Sequence, residues 1–367
     1  MRRVIGATAC GLLLALLFLP GAGADAPPRG DGSIVTWGLN DYGQCDVPTP
    51  NADFVAVAAG YYHNLGLKAD GSIVAWGRNN TGQCDLPDPN ADFVAIAAGY
   101  YHNLALKTDG SVVAWGSNYY GQTDVPAPNA DFVAVAAGGY HSLGLKSDGS
   151  ITAWGHNFNG QCDVPGTNAD FVALDGGWYY SLGLKSDGSI AAWGINNYGQ
   201  CNVPAPNTDF VAVAAGGVHS LGLKSNASIV PWGSNEYGQC NVPGPNADFV
   251  AVDAGHLHSL GLKSDGSIVA WSYNVEGQCD LPAPNTDFVA VAAGYKHSLG
   301  LKAATPPVPA DLDGDGDVDL ADLAELLGRY GSCVGEPMYD ANADFDDSGC
   351  IDLSDLAYLL GYYGTGT

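Results

Sequence analysis

Asp31, Asp70, Asp109, Asp148, Asp187, Asn226 and Asp265 each open a string of the DGSI type, and each stands 39 positions after the last. Trp37, Trp76, Trp115, Trp154, Trp193, Trp232 and Trp271 keep the same spacing, as do seven lysines from Lys68 to Lys302. A register that holds through seven copies restricts the chain to a closed array or a solenoid of one supersecondary unit. Each unit holds apolar stretches of strand length separated by turn residues: SIVAWG, GQCDVP, DFVAVAAG and HSLGLK. This pattern predicts four short strands per unit. The SDG between LGLK and SIVAWG is a hairpin signal, because glycine takes a positive φ without steric cost. FVAVAA is apolar at consecutive positions, so both of its faces are expected to be buried, as when sheets stack radially. Valine, glycine and proline exclude a helical array, and seven four-stranded sheets around an axis make a β-propeller.

The ends of the array bear on closure. The first unit begins just after the SDG turn, with Ser33 to Gly38, and the last ends just before it, with His297 to Lys302. These two segments are expected to pair across the ring and remove the exposed sheet edges. The segments WGxNxxGQ, as at Trp115 to Gln122, and VAVAAGxxHSLGLK, as at Val133 to Lys146, resemble the regulator of chromosome condensation repeat family over residues 31 to about 303. The short unit with GQTDVP at Gly121 to Pro126 looks especially like bacterial secreted members, among them a propeller that inhibits β-lactamases. The resemblance implies a seven-bladed fold that binds through its loops. It implies no single activity, and the nucleotide-exchange role of the nuclear members does not suit an exported acidic chain.

His63, His102, His141, His219, His258 and His297 share one position of the unit, with Tyr180 in the fourth copy. A metal site or catalytic base needs unlike groups converging on one point, whereas this position supplies one copy per blade. A structural role follows, the ring satisfying backbone groups where its strand begins. Cys45, Cys84, Cys162, Cys201, Cys240 and Cys279 also repeat, with Thr123 in the missing place. Sevenfold symmetry separates equivalent points by about 0.87 of their radius, so disulfides would need a radius below roughly 8 Å. Free buried thiols in small pockets are therefore expected.

Strand alternation places the loop after AAG and the loop after WG on one face, with SDG and PNADF on the other. The second pair barely changes between copies. The first loop carries Tyr61-Tyr62, Tyr100-Tyr101, Gly139-Tyr140, Trp178-Tyr179, Gly217-Val218, His256-Leu257 and Tyr295-Lys296, and its companion varies at Asp41, Arg78, Asn80, Tyr119, Tyr120, His156, Phe158, Asn197, Glu236 and Glu276. Aromatic side chains bury large area while keeping a polar handle. The expected recognition surface centres on Tyr61, Tyr62, Tyr100, Tyr101, Tyr140, Trp178 and Tyr179, facing an extracellular protein or a glycan. Packing between loops is the competing explanation for the same aromatics.

Met1 to Ala24 reads as a charged segment, an apolar run and small residues, the order of an export signal. The expected product is secreted or displayed at the cell surface, without membrane insertion. The formal charge of -26 repels phosphate backbones, which argues against nucleic-acid partners. After residue 303 the repeat stops, and residues 304–310 read as a proline-rich linker. DLDGDGDVDLAD at 311–322 and DFDDSGCIDLSD at 344–355 place oxygens at loop positions 1, 3, 5, 9 and 12, with glycine at 6. The expected calcium ligands are Asp311, Asp313, Asp315, Asp319 and Asp322, then Asp344, Asp346, Ser348, Asp352 and Asp355, with main-chain carbonyls from Asp317 and Cys350. Each loop runs into a similar amphipathic segment, LAELLGRYG and LAYLLGYYG. Cys333 and Cys350 are expected to bridge within this module. A duplicated loop and helix with Asp at position 12 makes residues 311 to 364 resemble a dockerin. The resemblance implies two bound Ca2+ ions and docking onto a cohesin-like receptor, although positions 10 and 11, Leu320-Ala321 and Leu353-Ser354, depart from the hydroxyl pair usual there.

The sequence therefore predicts an all-β seven-bladed propeller at 25–303, followed by a small all-α, EF-hand-like module at 311–367. The predicted role is recognition without catalysis, the propeller face taking a protein. A carbohydrate-binding or enzyme-inhibitory propeller is the alternative, and a polysaccharide-degrading component is a further one. A glycosidase would need two isolated acids in a cleft, and the propeller's acids mostly repeat with the blades, as Asp53 and Asp92 do.

Overall fold

A computed structural model describes residues 32–303, 310–312, 318–346 and 348–364. The expected export signal at 1–24, the linker residues 304–309 and the expected ligands Asp313, Asp315 and Asp317 lie outside the described residues. The chain divides into two compact units, with the break between Ala303 and Ala304. Among the described residues no helix is long and apolar enough to cross a membrane.

The first unit is a ring of seven antiparallel sheets of three strands each. In the first blade these are an inner strand Phe54–Ala59, a middle strand His63–Lys68 and an outer strand Ile73–Gly77. The inner strands neighbour one another around the axis, and the circuit closes where Phe54–Ala59 meets Phe288–Ala293. The last blade takes its outer strand, Ile34–Gly38, from the beginning of the array. It pairs with His297–Lys302 from Ile34 opposite Leu301 to Gly38 opposite His297. A break at this seam would cost the apolar core that joins Ile34, Leu299 and Leu301 to Phe54 and Trp76, so the ring is sealed by burial as well as by hydrogen bonds.

The fourth expected strand, GQCDVP, is not a strand. Its backbone is satisfied locally: Asn40 Oδ1 accepts from Cys45 N at 2.7 Å, the Gly43 carbonyl accepts from Asp46 N at 3.1 Å, and Gly43 turns the chain at φ 74°. With its amides occupied this way the segment offers no ladder to a neighbour. The Gln44 carbonyl instead accepts from Trp76 Nε1 and Asn64 Nδ2 of the following blade, which explains why Trp and Gln repeat together.

The outer strand is closed by a side chain. Ile73 N donates to Asn90 Oδ1 and Asn90 Nδ2 donates to Ile73 O, at 2.9 and 2.8 Å. The same bidentate pair recurs with Asn51, Asn129, Asn168, Asn207, Asn246 and Asn285. One carboxamide thus supplies the donor and acceptor a further strand would have offered.

FVAVAA departs from the expectation of burial on both faces at its second residue. Every inner strand shifts register between its phenylalanine and the alanine two positions on. The bulge turns the intervening valine outward, leaving Val55 49% exposed, while Ala58 and Ala59 beyond it are buried. The SDG turns behave as expected, with Gly71, Gly110, Gly149, Gly188 and Gly266 at φ near 80°. Asn226 opens the one variant turn, where Ala227 is held at φ 65°.

The second unit contains helices α1 (Leu320–Arg329) and α2 (Leu353–Tyr362), each capped by an aspartate, Asp319 and Asp352. Val318, Leu326, Ala343, Ile351 and Leu359 form its core. Cys333 and Cys350 are bonded, with an S–S distance of 2.09 Å.

Candidate functional site

The histidines form a girdle. His63 Nε2 lies 2.7 Å from Asn103 Oδ1, His102 Nε2 3.0 Å from Ser142 Oγ, and the pattern passes through His141, His219 and His258 until His297 returns to Asn64 at 2.7 Å. The carboxamide oxygens can only accept, and Ser142 Oγ already donates to Gln122 O, so the imidazoles donate through Nε2. Burial holds them far below the usual imidazole range, at about 4 for His63 and about 3 for His102, His141, His219, His258 and His297. They are joints between blades. The partner is the next blade's side chain rather than a backbone group. Tyr180 is the exception, its hydroxyl donating to the His219 carbonyl and accepting from Ser220 Oγ.

The six repeat cysteines are free and half-buried, not enclosed as expected. Cys45 Sγ sits 3.3 Å from the Leu39 carbonyl, and burial raises its thiol to about 11. Such thiols are poor nucleophiles at neutral pH.

The variable loops do share one face. Arg78, from the loop after WG, lies over the rings of Tyr42, Tyr62 and Tyr101 at 4.8, 5.5 and 5.6 Å. The seven residues expected at the centre, Tyr61, Tyr62, Tyr100, Tyr101, Tyr140, Trp178 and Tyr179, are all half-buried, because the rings pack on one another. Tyr61 stacks on Tyr295 with ring centres 3.9 Å apart and touches Tyr100 at 4.1 Å. Tyr100 meets Trp178 at 5.5 Å, Trp178 meets His256 at 4.9 Å, and His256 returns to Tyr295 at 4.8 Å. Five rings therefore circle the axis. The two blades that contribute none have Gly139 and Gly217 there, since a Cβ on either would strike Trp178 or His256.

The strongly exposed aromatics stand outside that circle. Tyr119 and Phe158 are 84% and 88% exposed, with Tyr42, Tyr198 and Tyr237 also open. They come from the loop after WG, so the face has a locked centre and an open aromatic rim. His256 and Tyr295 were expected in the variable loop but not at its centre, and Tyr198 and Tyr237 were not singled out in the sequence.

Beneath the five rings lies a cavity of about 60 Å³ on the axis, lined by three residues from each blade. The Tyr100 hydroxyl and both ring nitrogens of His256 are buried there without a hydrogen-bond partner among the described residues. Asp175 and Asp253 stand directly behind the wall. Asp175 accepts from Gly176 N and Ala215 N at 2.8 and 2.7 Å, and Asp253 from Ala254 N and Ala293 N at 2.9 and 2.7 Å. All four amides belong to cavity-lining residues. Burial, reinforced by Asp253, pushes the Asp175 carboxyl well above the usual carboxylate range.

In the second unit, oxygens of Asp344, Asp346 and Asp355 lie within 4.8 Å of one another. Asp355 is buried and accepts from Phe345 N and Asp352 N, at 2.6 and 2.8 Å. Asp322 holds the equivalent bonds from Leu312 N and Asp319 N in the first loop. The position-12 acids thus draw the start of each loop onto its helix.

The family profile for the regulator of chromosome condensation (RCC1) repeat matches residues 54–83, 93–122, 132–161, 171–200, 210–239 and 249–278. The blades are RCC1 repeats. The seventh blade, built from both ends of the array, falls outside the matched runs, as expected when no single stretch of chain contains it. No curated protein matches the chain by sequence. Among solved structures, the RCC1 propeller is similar to Prp20p from Saccharomyces cerevisiae, with a TM-score of 0.66 and 18% identity over 75% of this chain and 92% of that one. Human WBSCR16 gives 0.60 and 18% over 75% and 100%, and the ectodomain of the Arabidopsis thaliana receptor kinase ACR4 gives 0.57 and 24% over 69% and 94%. At these identities the likeness establishes the fold.

Within the RCC1 units, the acids behind the cavity are departures from the repeat. Five copies carry alanine where Asp175 and Asp253 stand: Ala58, Ala97, Ala136, Ala214 and Ala292. The signal was legible as DGGW and DAGH in place of AAGY, and alignment of the seven units exposes it.

Proposed function

We propose that this chain is an exported, non-catalytic recognition protein whose RCC1 propeller binds a protein through the aromatic rim, and whose C-terminal module is a calcium-dependent, dockerin-like attachment device. The observation that carries the reading is the one-sidedness of the variation. The SDG and PNADF connections on one face are held nearly constant, while the other presents Tyr42, Tyr119, Tyr120, Phe158, Tyr198 and Tyr237 around a locked centre. A monomeric surface gains nothing from so many exposed rings unless they meet a partner. Solved RCC1-like propellers are described as binding proteins, Prp20p with Gsp1p and histones, and ACR4 uses the fold as an ectodomain. The bacterial secreted type is the one this short unit fits.

For the module, Asp344, Asp346 and Asp355 supply clustered hard oxygens with Ser348 and the Cys350 carbonyl close by, which suits Ca2+. Two ions, one per loop, and a cohesin-like receptor complete the proposal. Binding to immobilised extracellular proteins and glycans tests the first part. Tyr119→Ala with Phe158→Ala should abolish protein capture and Asp88→Ala on the opposite face should preserve it; the reverse result removes the reading. Capture of glycans alone would favour the carbohydrate-binding alternative.

A further inference from the structure

The axial cavity is where the sevenfold pattern is broken most expensively. Alanine satisfies the inner strand in five blades, yet two blades bury a carboxyl group there, fully excluded from water. Each acid is followed three residues later by a large ring, Asp175 by Trp178 and Asp253 by His256, and each ring leans over a glycine of the preceding blade. A buried acid and unpartnered polar atoms both cost stability. Violations of the local rule that converge on one cavity are what a ligand site looks like in a repeat protein.

The chemistry of the wall selects the guest. Tyr61, Tyr100, Trp178 and Tyr295 line the cavity, and electron-rich aromatic rings favour a cation among them. The Tyr100 oxygen and the unprotonated nitrogen of His256 can accept hydrogen bonds, and burial, with Lys296 nearby, keeps His256 neutral, at about 4. Behind the wall, a positive neighbour would favour ionisation of the buried Asp175 and Asp253 carboxyls, and a negative one would oppose it. The space, about 60 Å³, accommodates a small head group.

We propose that the axial cavity receives a single ammonium group, carried either by a small free amine or by the lysine tip of a protein docked on the same face. The lysine source rests on the recognition reading above; the free amine does not. Methylammonium chloride is the probe, titrated into the full chain labelled with 15N at constant ionic strength. Trp178 is the only tryptophan of the eight that lies off the repeat, so its indole N–H resonance reports the cavity while the other seven serve as controls. A saturable shift of Trp178 alone is expected, with a dissociation constant on the order of 10 mM for a guest of two heavy atoms. Asp175→Ala with Asp253→Ala restores the residue found in five other blades, so the fold is retained, and it should weaken binding at least about tenfold. His256→Tyr, which restores the residue of three blades, is a second variant with the same expected direction.

Competition by Nα-acetyl-lysine amide would show that a lysine tip can enter; methylammonium binding without competition would assign the site to free amines. An absent or non-saturable shift, equal binding by the double variant, or an equal response to acetate or acetamide would overturn the proposal. None of these outcomes bears on Tyr119 and Phe158, so failure here is distinct from failure of the recognition reading.

Discussion

The histidine girdle makes the propeller acid-labile in a way that can be calculated. Each girdle imidazole is fully buried, with a folded value near 3, or near 4 for His63, against 6.5 when exposed. The folded value is the lower one, so the unfolded chain binds more protons in acid. The stabilisation is complete above about pH 7.5 and is lost as pH falls through 6.5 toward 3. At pH 5 the difference amounts to about 2 kcal/mol for each ring, and on the order of 10 kcal/mol for six. A domain's whole stability is about 5–15 kcal/mol, so the propeller should be close to unfolding there. His256, lowered to about 4 by burial, adds nearly one proton to the uptake on unfolding. Asp175 subtracts one, because its raised value keeps it protonated in the folded state. Urea unfolding followed by tryptophan fluorescence between pH 5 and 8 should give a pH slope corresponding to an uptake of about six protons near pH 5. His102→Tyr copies the natural solution at Tyr180, whose hydroxyl reaches the next blade's serine and a backbone carbonyl, and should remove one proton from the slope. A wild-type uptake below about two protons, or a variant as acid-sensitive as the parent, would refute the account of the girdle.

Other substitutions probe separate features. Ala227→Gly relieves a positive φ that five other turns assign to glycine and should raise stability by about 0.5–1 kcal/mol in thermal unfolding. Asn129→Ala removes both bonds to Val112 and should cost about 1–3 kcal/mol, with increased self-association by light scattering as the outer edge opens. Calorimetric titration of the full chain with Ca2+ should show two sites, and Asp355→Ala should eliminate one while leaving tryptophan-monitored unfolding of the propeller unchanged. Iodoacetamide without reductant should label the six repeat cysteines slowly in the folded protein at pH 8, because burial raises thiols such as Cys162 to about 12, and all six after unfolding in urea; disulfide pairing among them would leave some unlabelled.

Periodicity was enough to determine the ring. Unbroken spacing fixes seven equivalent units, and the split between Ser33–Gly38 and His297–Lys302 fixes how the ring closes, because closure needs only complementary ends. The alternation of strands likewise determines which loops share a face. The tertiary structure decided whatever depends on which group meets which backbone amide. GQCDVP has strand-like residues, yet Asn40 and the Gly43 carbonyl occupy its amides, and the repeated asparagine of PNAD closes the outer edge in its place. The valine of FVAVAA reads as core but lies outside, since a bulge reverses its direction without changing composition. At the face, side-chain identity announced aromatics; only packing separates the rings that lock the centre from Tyr119 and Phe158 at the rim. The buried acids were visible as letters from the start. Their meaning came from position, because a carboxyl behind a cavity wall and one on a solvated turn are the same residue in different dielectric surroundings.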